Sequence, residues 1–196
     1  MRNRDIEKEQ LVKQKAIELI GKGGLDYFSI NKLAKECKIS VATIYIYYKD
    51  KDDLISRLAA EQGETMADDL VRGLDPDAPF EQGLRTQWAN RYRQMLNNQT
   101  LSLFFEQIRS TLYYNRFMGA FTEKAEPILG AFVQHAVDRG DIPNLPLEVY
   151  WSVAFGPLYG LVKFHNDGVS LNGRPFTLKE EMLWQAFELV VKAFKK

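Results

Sequence analysis

An all-α fold follows from three features of this 196-residue sequence. Apolar residues recur at helical spacing throughout, and extended two-residue alternation of the strand type is missing. Seven prolines and several of the 13 glycines punctuate the chain into about nine helical segments. An apolar share of 45% fills a real core and argues against disorder.

The segments follow in order. A first helix is predicted over about Ile6 to Gly21, with Val12, Ala16, Leu19 and Ile20 as its inward stripe and Gly23 and Gly24 as its terminator. Ser29 is a good N-cap for a short second helix, Ile30 to Cys37. The link Lys38 to Ser40 separates it from a third, about Val41 to Tyr47. Asp50 can cap a fourth helix running to about Gly73, with Asp52 and Asp53 favouring its dipole. Asp75 to Pro79 reads as a linker. A fifth helix is predicted over Phe80 to Leu96 and a sixth over Leu101 to Leu112. The seventh, about Asn115 to Arg139, contains Pro127 and should be kinked there. After a loop, Gly140 to Pro146, the eighth runs from Leu147 to about Asn166; Gly156, Pro157 and Gly160 predict a bend. A loop over Asp167 to Pro175 leads to a ninth, Leu178 to Phe194.

Formal net charge is zero, but it is unevenly distributed. Residues 1–58 carry 12 Lys and Arg against 9 Asp and Glu; the remainder carries 14 against 17. A basic head on an acidic body fits contact with nucleic acid, although an imbalance of this size also arises by chance. One cysteine, Cys37, excludes an intrachain disulfide and suits the cytosol. The longest uncharged stretch, Val149 to Val162, falls short of the roughly 20 residues that cross a bilayer. The start Arg2-Asn3-Arg4-Asp5 lacks an apolar signal region. A cytoplasmic protein with no membrane partner is therefore expected.

Two short helices joined by three or four residues form either an ordinary helical hairpin or a helix-turn-helix, in which the second helix enters the major groove. Spacing alone leaves both open. The stretch Ser40 to Leu54 (SVATIYIYYKDKDDL) resembles the signature of the TetR (tetracycline repressor-like) family of regulators, with Thr43, Ile44, Tyr45, Tyr47, Tyr48, Lys51, Asp52 and Leu54 in the matching places. Upstream, Gly23, Phe28, Ser29, Ile30, Leu33 and Ala34 agree as well. One departure is Lys38, where the family usually has Gly, a residue better suited to a left-handed turn. The resemblance covers about residues 8–56; beyond them only the helical layout agrees.

The resemblance implies a helix-turn-helix DNA-binding domain over residues 1–50 and a helical ligand-binding and dimerisation domain over 51–196. Expected contacts are Thr43 and Tyr45 hydroxyls on phosphate, Tyr47 bracing the recognition helix against the DNA backbone, and Lys51 adding a cation at a helix N-terminus. Val41 and Ala42 would touch thymine methyl groups. Ser29 and Asn31 open the second helix and also reach phosphate, although Ser29 serves equally as a cap alone. Ile44 reads as core, Tyr48 as the inward aromatic of its pair, and Arg2 and Arg4 as either groove contacts or a solvated end.

The body is rich in aromatics, which fit either a packed core or an apolar cavity with a few polar handles. By resemblance a small inducer binds there, and Trp88, Tyr92, Phe105, Ile108, Phe117, Phe121, Trp151, Phe155 and Tyr159 are the expected lining. Its ligand would be mostly apolar or aromatic. In helix nine, Leu183, Phe187, Val190, Val191 and Phe194 form more apolar surface than one core face needs. By the same resemblance, helices eight and nine are expected to make a homodimer, which would place two heads on palindromic double-stranded DNA. Repression relieved by a small-molecule effector is the expected mode.

Alternatives are a ligand-binding helical dimer that has lost DNA binding, hinted at only by Lys38, and an enzyme. Against an enzyme, His135 and His165 belong to no metal-spaced cluster, and no serine sits in a nucleophile elbow. His135 pairs on one face with Asp138, His165 lies near a helix end, and Cys37 should be buried and inert. Neither cofactor nor metal is expected.

Overall fold

A computed structural model of the chain describes the backbone of residues 2–97 and 99–195 and the side chains of residues 6–96 and 100–195. Among these residues there are nine helices: α1 (Arg2–Tyr27), α2 (Ile30–Cys37), α3 (Val41–Tyr47), α4 (Lys51–Val71), α5 (Phe80–Asn97), α6 (Gln99–Ile108), α7 (Leu112–Asp138), α8 (Leu147–Asp167) and α9 (Glu180–Phe194). An isolated bridge between Val169 and Pro175 closes the loop before α9.

The all-α reading holds, and the borders move for identifiable reasons. Helix α1 begins at Arg2 and reaches its break at Gly24, whose φ of 81° and ψ of 172° no L side chain adopts comfortably. One further turn carries the chain to Tyr27. Helix α6 ends at Ile108 instead of Leu112, because Thr111 closes it: its N–H and hydroxyl both donate to the Ile108 carbonyl, at 2.9 and 2.7 Å. The same hydroxyl then accepts the Tyr113 N–H, which starts α7 at Leu112. Helices α7 and α8 continue through Pro127 and Pro157. Pro157 has no N–H for the Val153 carbonyl. The next carbonyl, that of Ala154, accepts the Trp88 indole N–H at 2.7 Å.

Two compact units account for the packing, Met1–Ala67 with Asn98–Lys124, and Asp68–Asn97 with Ala125–Lys196. The first contains the helix-turn-helix segment. Its core takes Val12, Ala16 and Ile20 from α1, Leu33 and Ala34 from α2, Ile44 from α3, Leu54, Ile55 and Leu58 from α4, Phe104 and Ile108 from α6, and Phe117 from α7. The α1 and α6 sets lie at four-residue spacing, and in α4 the adjacent pair Leu54 and Ile55 has Leu58 one turn on, as one face of a helix allows. Gly63 lets α4 meet α7, since a Cβ there would lie 2.3 Å from the Phe117 carbonyl oxygen.

The second unit packs Phe80, Leu84 and Trp88 of α5 against Phe132 of α7, Tyr150, Phe155 and Leu158 of α8, and the inner face of α9. Phe80 stands edge-on to Phe194 at 5.1 Å and stacks on Phe132 at 6.0 Å. Buried Asn90 closes the end of α4 by donating to the carbonyls of Leu70 and Arg72. The surplus of apolar surface expected on α9 is corrected here: Leu183, Phe187, Val190, Val191 and Phe194 are all buried in this unit's own core.

Lys38 is the single non-glycine residue with positive φ among the described residues, at φ 53° and ψ 42°. A side chain in this left-handed region costs about 1 kcal/mol. Lys38→Gly is therefore expected to raise unfolding free energy in urea by up to about 1 kcal/mol, less the extra chain entropy of glycine, with an unchanged circular dichroism spectrum. A loss of stability would mean the lysine side chain contributes contacts that outweigh the strain.

Candidate nucleic-acid interface

Two serines and a tight turn hold α2 and α3 in place. Ser29 Oγ accepts the Lys32 N–H at 3.3 Å and caps α2. At the other end, Lys38 N–H donates to the Lys35 carbonyl and Ile39 N–H to the Ala34 carbonyl, at 3.1 and 3.0 Å. These paired bonds are a Schellman closure, which needs a left-handed residue at Lys38. Ser40 then starts α3, its Oγ accepting the Thr43 N–H at 3.2 Å and lying 2.9 Å from the Thr43 hydroxyl. Only Lys38, Ile39 and Ser40 separate the helices.

Helix α3 has two unlike sides. Ile44 is fully buried, and Val41 and Tyr47 are half-buried against the same core. Tyr48, just past the helix, is buried, and burial pushes its phenol far above the usual range. Opposite lie Ala42, Tyr45 and Ile46, all exposed, at positions i, i+3 and i+4 of one helical face, with exposed Lys49 just beyond the helix. Tyr45 is 52% and Ile46 77% exposed, so this face combines a hydroxyl with bare aliphatic groups. Lys35, Lys38 and Lys49 add exposed cations that form no ion pair among the described residues. Such a face can donate to phosphate oxygens and cover methyl groups on base edges.

The eight residues expected at this surface divide by exposure. Asn31, Ala42 and Tyr45 are exposed; Ser29, Val41, Thr43, Tyr47 and Lys51 are half-buried. Lys51 faces inward enough for its Nζ to donate to the Leu25 carbonyl at 2.9 Å and to lie 5.7 Å from the Phe28 ring centroid. Its ammonium joins the start of α4 to the segment before α2. Asp50 caps α4, taking the Asp53 N–H at 2.8 Å while Asp53 accepts the Lys49 N–H at 3.0 Å. Lys49 and Ile46 are further exposed positions, and the inward places of Ile44 and Tyr48 in the sequence are the signal that points Ile46 outward. The side chains of Arg2 and Arg4 lie outside the described residues.

The nine residues expected to line a ligand cavity belong to both units. Phe105, Ile108, Phe117 and Phe121 lie in the first core or against it, with Phe105 and Phe117 edge-on at 5.0 Å. Trp88, Tyr92, Phe155 and Tyr159 lie in the second core or against it. Trp151 is 45% exposed and stacks on Tyr159 at 5.2 Å.

The remaining candidates have structural partners. The expected His135–Asp138 pair is replaced: His135 Nδ1 lies 2.8 Å from Asp77, and Asp138 accepts from Gln134. His165 Nδ1 accepts the Leu178 N–H at 3.3 Å. Cys37 is buried, and desolvation raises its thiol above the usual range. No cluster of metal-ligating side chains occurs among the described residues. No described helix is long and apolar enough to cross a membrane.

A short outward-facing helix, closed onto its neighbour by a three-residue left-handed turn, defines a helix-turn-helix domain. Residues 14–58 match the family of bacterial regulatory proteins, tetR family. Over 92 residues the chain is 32% identical to an uncharacterized HTH-type transcriptional regulator of Haemophilus influenzae, covering 47% of this chain and 49% of that protein. The chain thus spans about half the length of this curated relative. A TetR family transcription regulator from Marinobacter aquaeolei VT8 shares the fold with a TM-score of 0.81 and 25% identity, over 100% of both chains. The regulator FadR of Bacillus subtilis, solved in complex with stearoyl-CoA, shares it with a TM-score of 0.69 and 19% identity, over 95% of this chain and 99% of that one. Residues 14–58 are thus similar to the DNA-binding segment of tetR-family regulators, and the described residues share the fold of such regulators.

Because the Lys51 ammonium bonds a backbone carbonyl within the head, Lys51→Met is expected to lower unfolding free energy by about 1 kcal/mol. Urea titration of the full chain followed by circular dichroism measures it. An unchanged midpoint would mean that water replaces this bond without loss.

Proposed function

We propose that the chain is a DNA-binding repressor that leaves a palindromic operator when a small, mainly apolar effector binds its body. The observation that carries this reading is the exposed face Ala42, Tyr45 and Ile46, with Lys49 beyond it, on a helix whose other side is core. Tyr45 and Thr43 hydroxyls, with Ser29 and Asn31 at the start of α2, supply phosphate contacts. Tyr47 braces α3, and the donors of Lys51 not used by Leu25 face the same backbone. Ala42 and the edge of Val41 read bases, with Ile46 beside them. The family match over this segment supports these roles.

A homodimer through α8 and α9 supplies the two heads that a palindrome requires, about 34–36 Å apart. Its support is apolar surface that these helices leave uncovered: Leu147, Val149 and Trp151 on α8, Met182 and Leu189 on α9. An effector with an apolar body is supported by the aromatic second core, and by a neighbour of like fold that carries stearoyl-CoA. Residues 1–50 and 51–196 remain the proposed functional division, with α4 carrying the effector signal. The reading without DNA binding loses its ground, since Lys38 adopts the left-handed conformation that the turn needs.

Mobility shift on DNA upstream of the chain's own gene tests the proposal. Affinity is expected to fall steeply with salt, about tenfold or more between 50 and 200 mM. A salt-insensitive constant, or no binding, overturns it. Ile46→Ala and Ala42→Ser are expected to keep the fold and to change preference at individual base pairs by about tenfold. Selection from random DNA reads that change, and an unaltered motif in both variants would remove α3 from the reading surface.

A further inference from the structure

The second unit buries four polar side-chain atoms without a hydrogen-bond partner among the described residues: Gln87 Nε2, Arg91 Nε and Nη1, and the Tyr150 hydroxyl. Their residues are 2%, 4% and 5% exposed. Gln87 and Arg91 stand one turn apart on α5, and Tyr150 lies in the first turn of α8. Phe155 lies beside both Arg91 and Tyr150. Its ring centroid is 3.9 Å from the Arg91 guanidinium and 6.3 Å from the Tyr150 ring. Burial pushes the Tyr150 phenol up to about 12, and the nearby Arg91 charge pulls the other way.

All four atoms can donate a hydrogen bond, and Arg91 is a fixed cation that cannot escape by losing its proton. The Phe155 face answers part of that charge, leaving in-plane N–H groups unmet. Arg91 forms no ion pair among the described residues. Native interiors pair their buried polar groups and match buried charge with a counter-ion. Buried water could serve the neutral donors of Gln87 and Tyr150 but would leave the cation uncompensated. The missing group is therefore an acceptor carrying negative charge. One arginine balances one charge, which favours a carboxylate over a phosphate carrying nearly two. The neighbouring Trp88, Leu158 and Phe187 are apolar, and the Trp88 N–H is already committed to Ala154. The rest of the ligand must be apolar too.

We propose that the second unit holds a carboxylate site between α5 and α8, with Arg91 as counter-ion and Gln87 and Tyr150 as neutral donors, for an amphipathic acid with a hydrocarbon or aromatic body. This deepens the effector reading above and rests on it for its regulatory meaning alone.

Straight-chain alkanoates from hexanoate to hexadecanoate, each against the alkanol of equal length, test the site by calorimetry on the full chain without DNA. At least one alkanoate is expected to bind about tenfold or more tightly than its alkanol, as a charged hydrogen bond implies. Arg91→Met should abolish that preference and melt no lower than the parent when ligand-free, because it removes an unpaired buried charge. If Arg91→Met does not fold, Tyr150→Phe and Gln87→Leu replace it, each expected to weaken alkanoate binding several-fold and leave alkanol binding unchanged. Equal binding of acid and alcohol, no alkanoate binding, or a preference that survives these substitutions overturns the site. The mobility shift then separates the two readings. An alkanoate that binds through Arg91 but does not release DNA keeps the site and removes its effector role. Another molecule releasing DNA while alkanoates fail to bind keeps an effector and removes this site.

Discussion

Burial of Ile44 is the constraint on which the head depends. It is the one fully buried side chain of α3, a helix of seven residues. With so short a helix, a single anchored position sets its rotation, and rotation decides what faces outward. Ala42, Tyr45 and Ile46 are exposed because Ile44 is not. The Ser40 cap and the left-handed Lys38 fix the entry of the helix, and Asp50 fixes the chain beyond it. These local bonds act on a helix that would not persist alone at this length. Tertiary packing and end closure together hold it.

The second unit solves a different problem. Its aromatics pack edge to face around Phe80, Trp88, Phe187 and Phe194. Such an interior tolerates a polar group only if that group is answered. Trp88 and Asn90 are answered by backbone carbonyls, one beside the Pro157 interruption of α8 and the others at the end of α4. Gln87, Arg91 and Tyr150 are the exceptions. That contrast distinguishes polar atoms built into the packing from polar atoms awaiting an external partner.

Much of the fold was legible because helix periodicity and end signals are local. Ser29, Asp50 and the left-handed turn after Cys37 sit where residue chemistry puts them. Thr111 was missed because its role depends on two helices ending and beginning at one hydroxyl. The site was less legible, because exposure is a tertiary property. Lys51 carries the same charge whether it faces solvent or the Leu25 carbonyl, and Ile46 looks like core until Ile44 is seen to fill that place. The α9 stripe was read as surplus for the same reason. Sequence spacing reports a face of apolar residues, but not how much of it the chain's own core consumes. A buried arginine has no sequence signature at all, since the same residue on an outward face of α5 would read identically.

Gly63 has a mechanical meaning for the head. With no side chain there, α4 abuts the Phe117 carbonyl, and the Tyr113 hydroxyl donates to Asp52 one turn away from the cap of the same helix. Backbone against backbone leaves no flexible side chain to absorb strain. The early part of α7 is therefore joined to α4 at two places, by a hydrogen bond in its first turn and by backbone approach at Gly63, so the two pack as one piece within this unit.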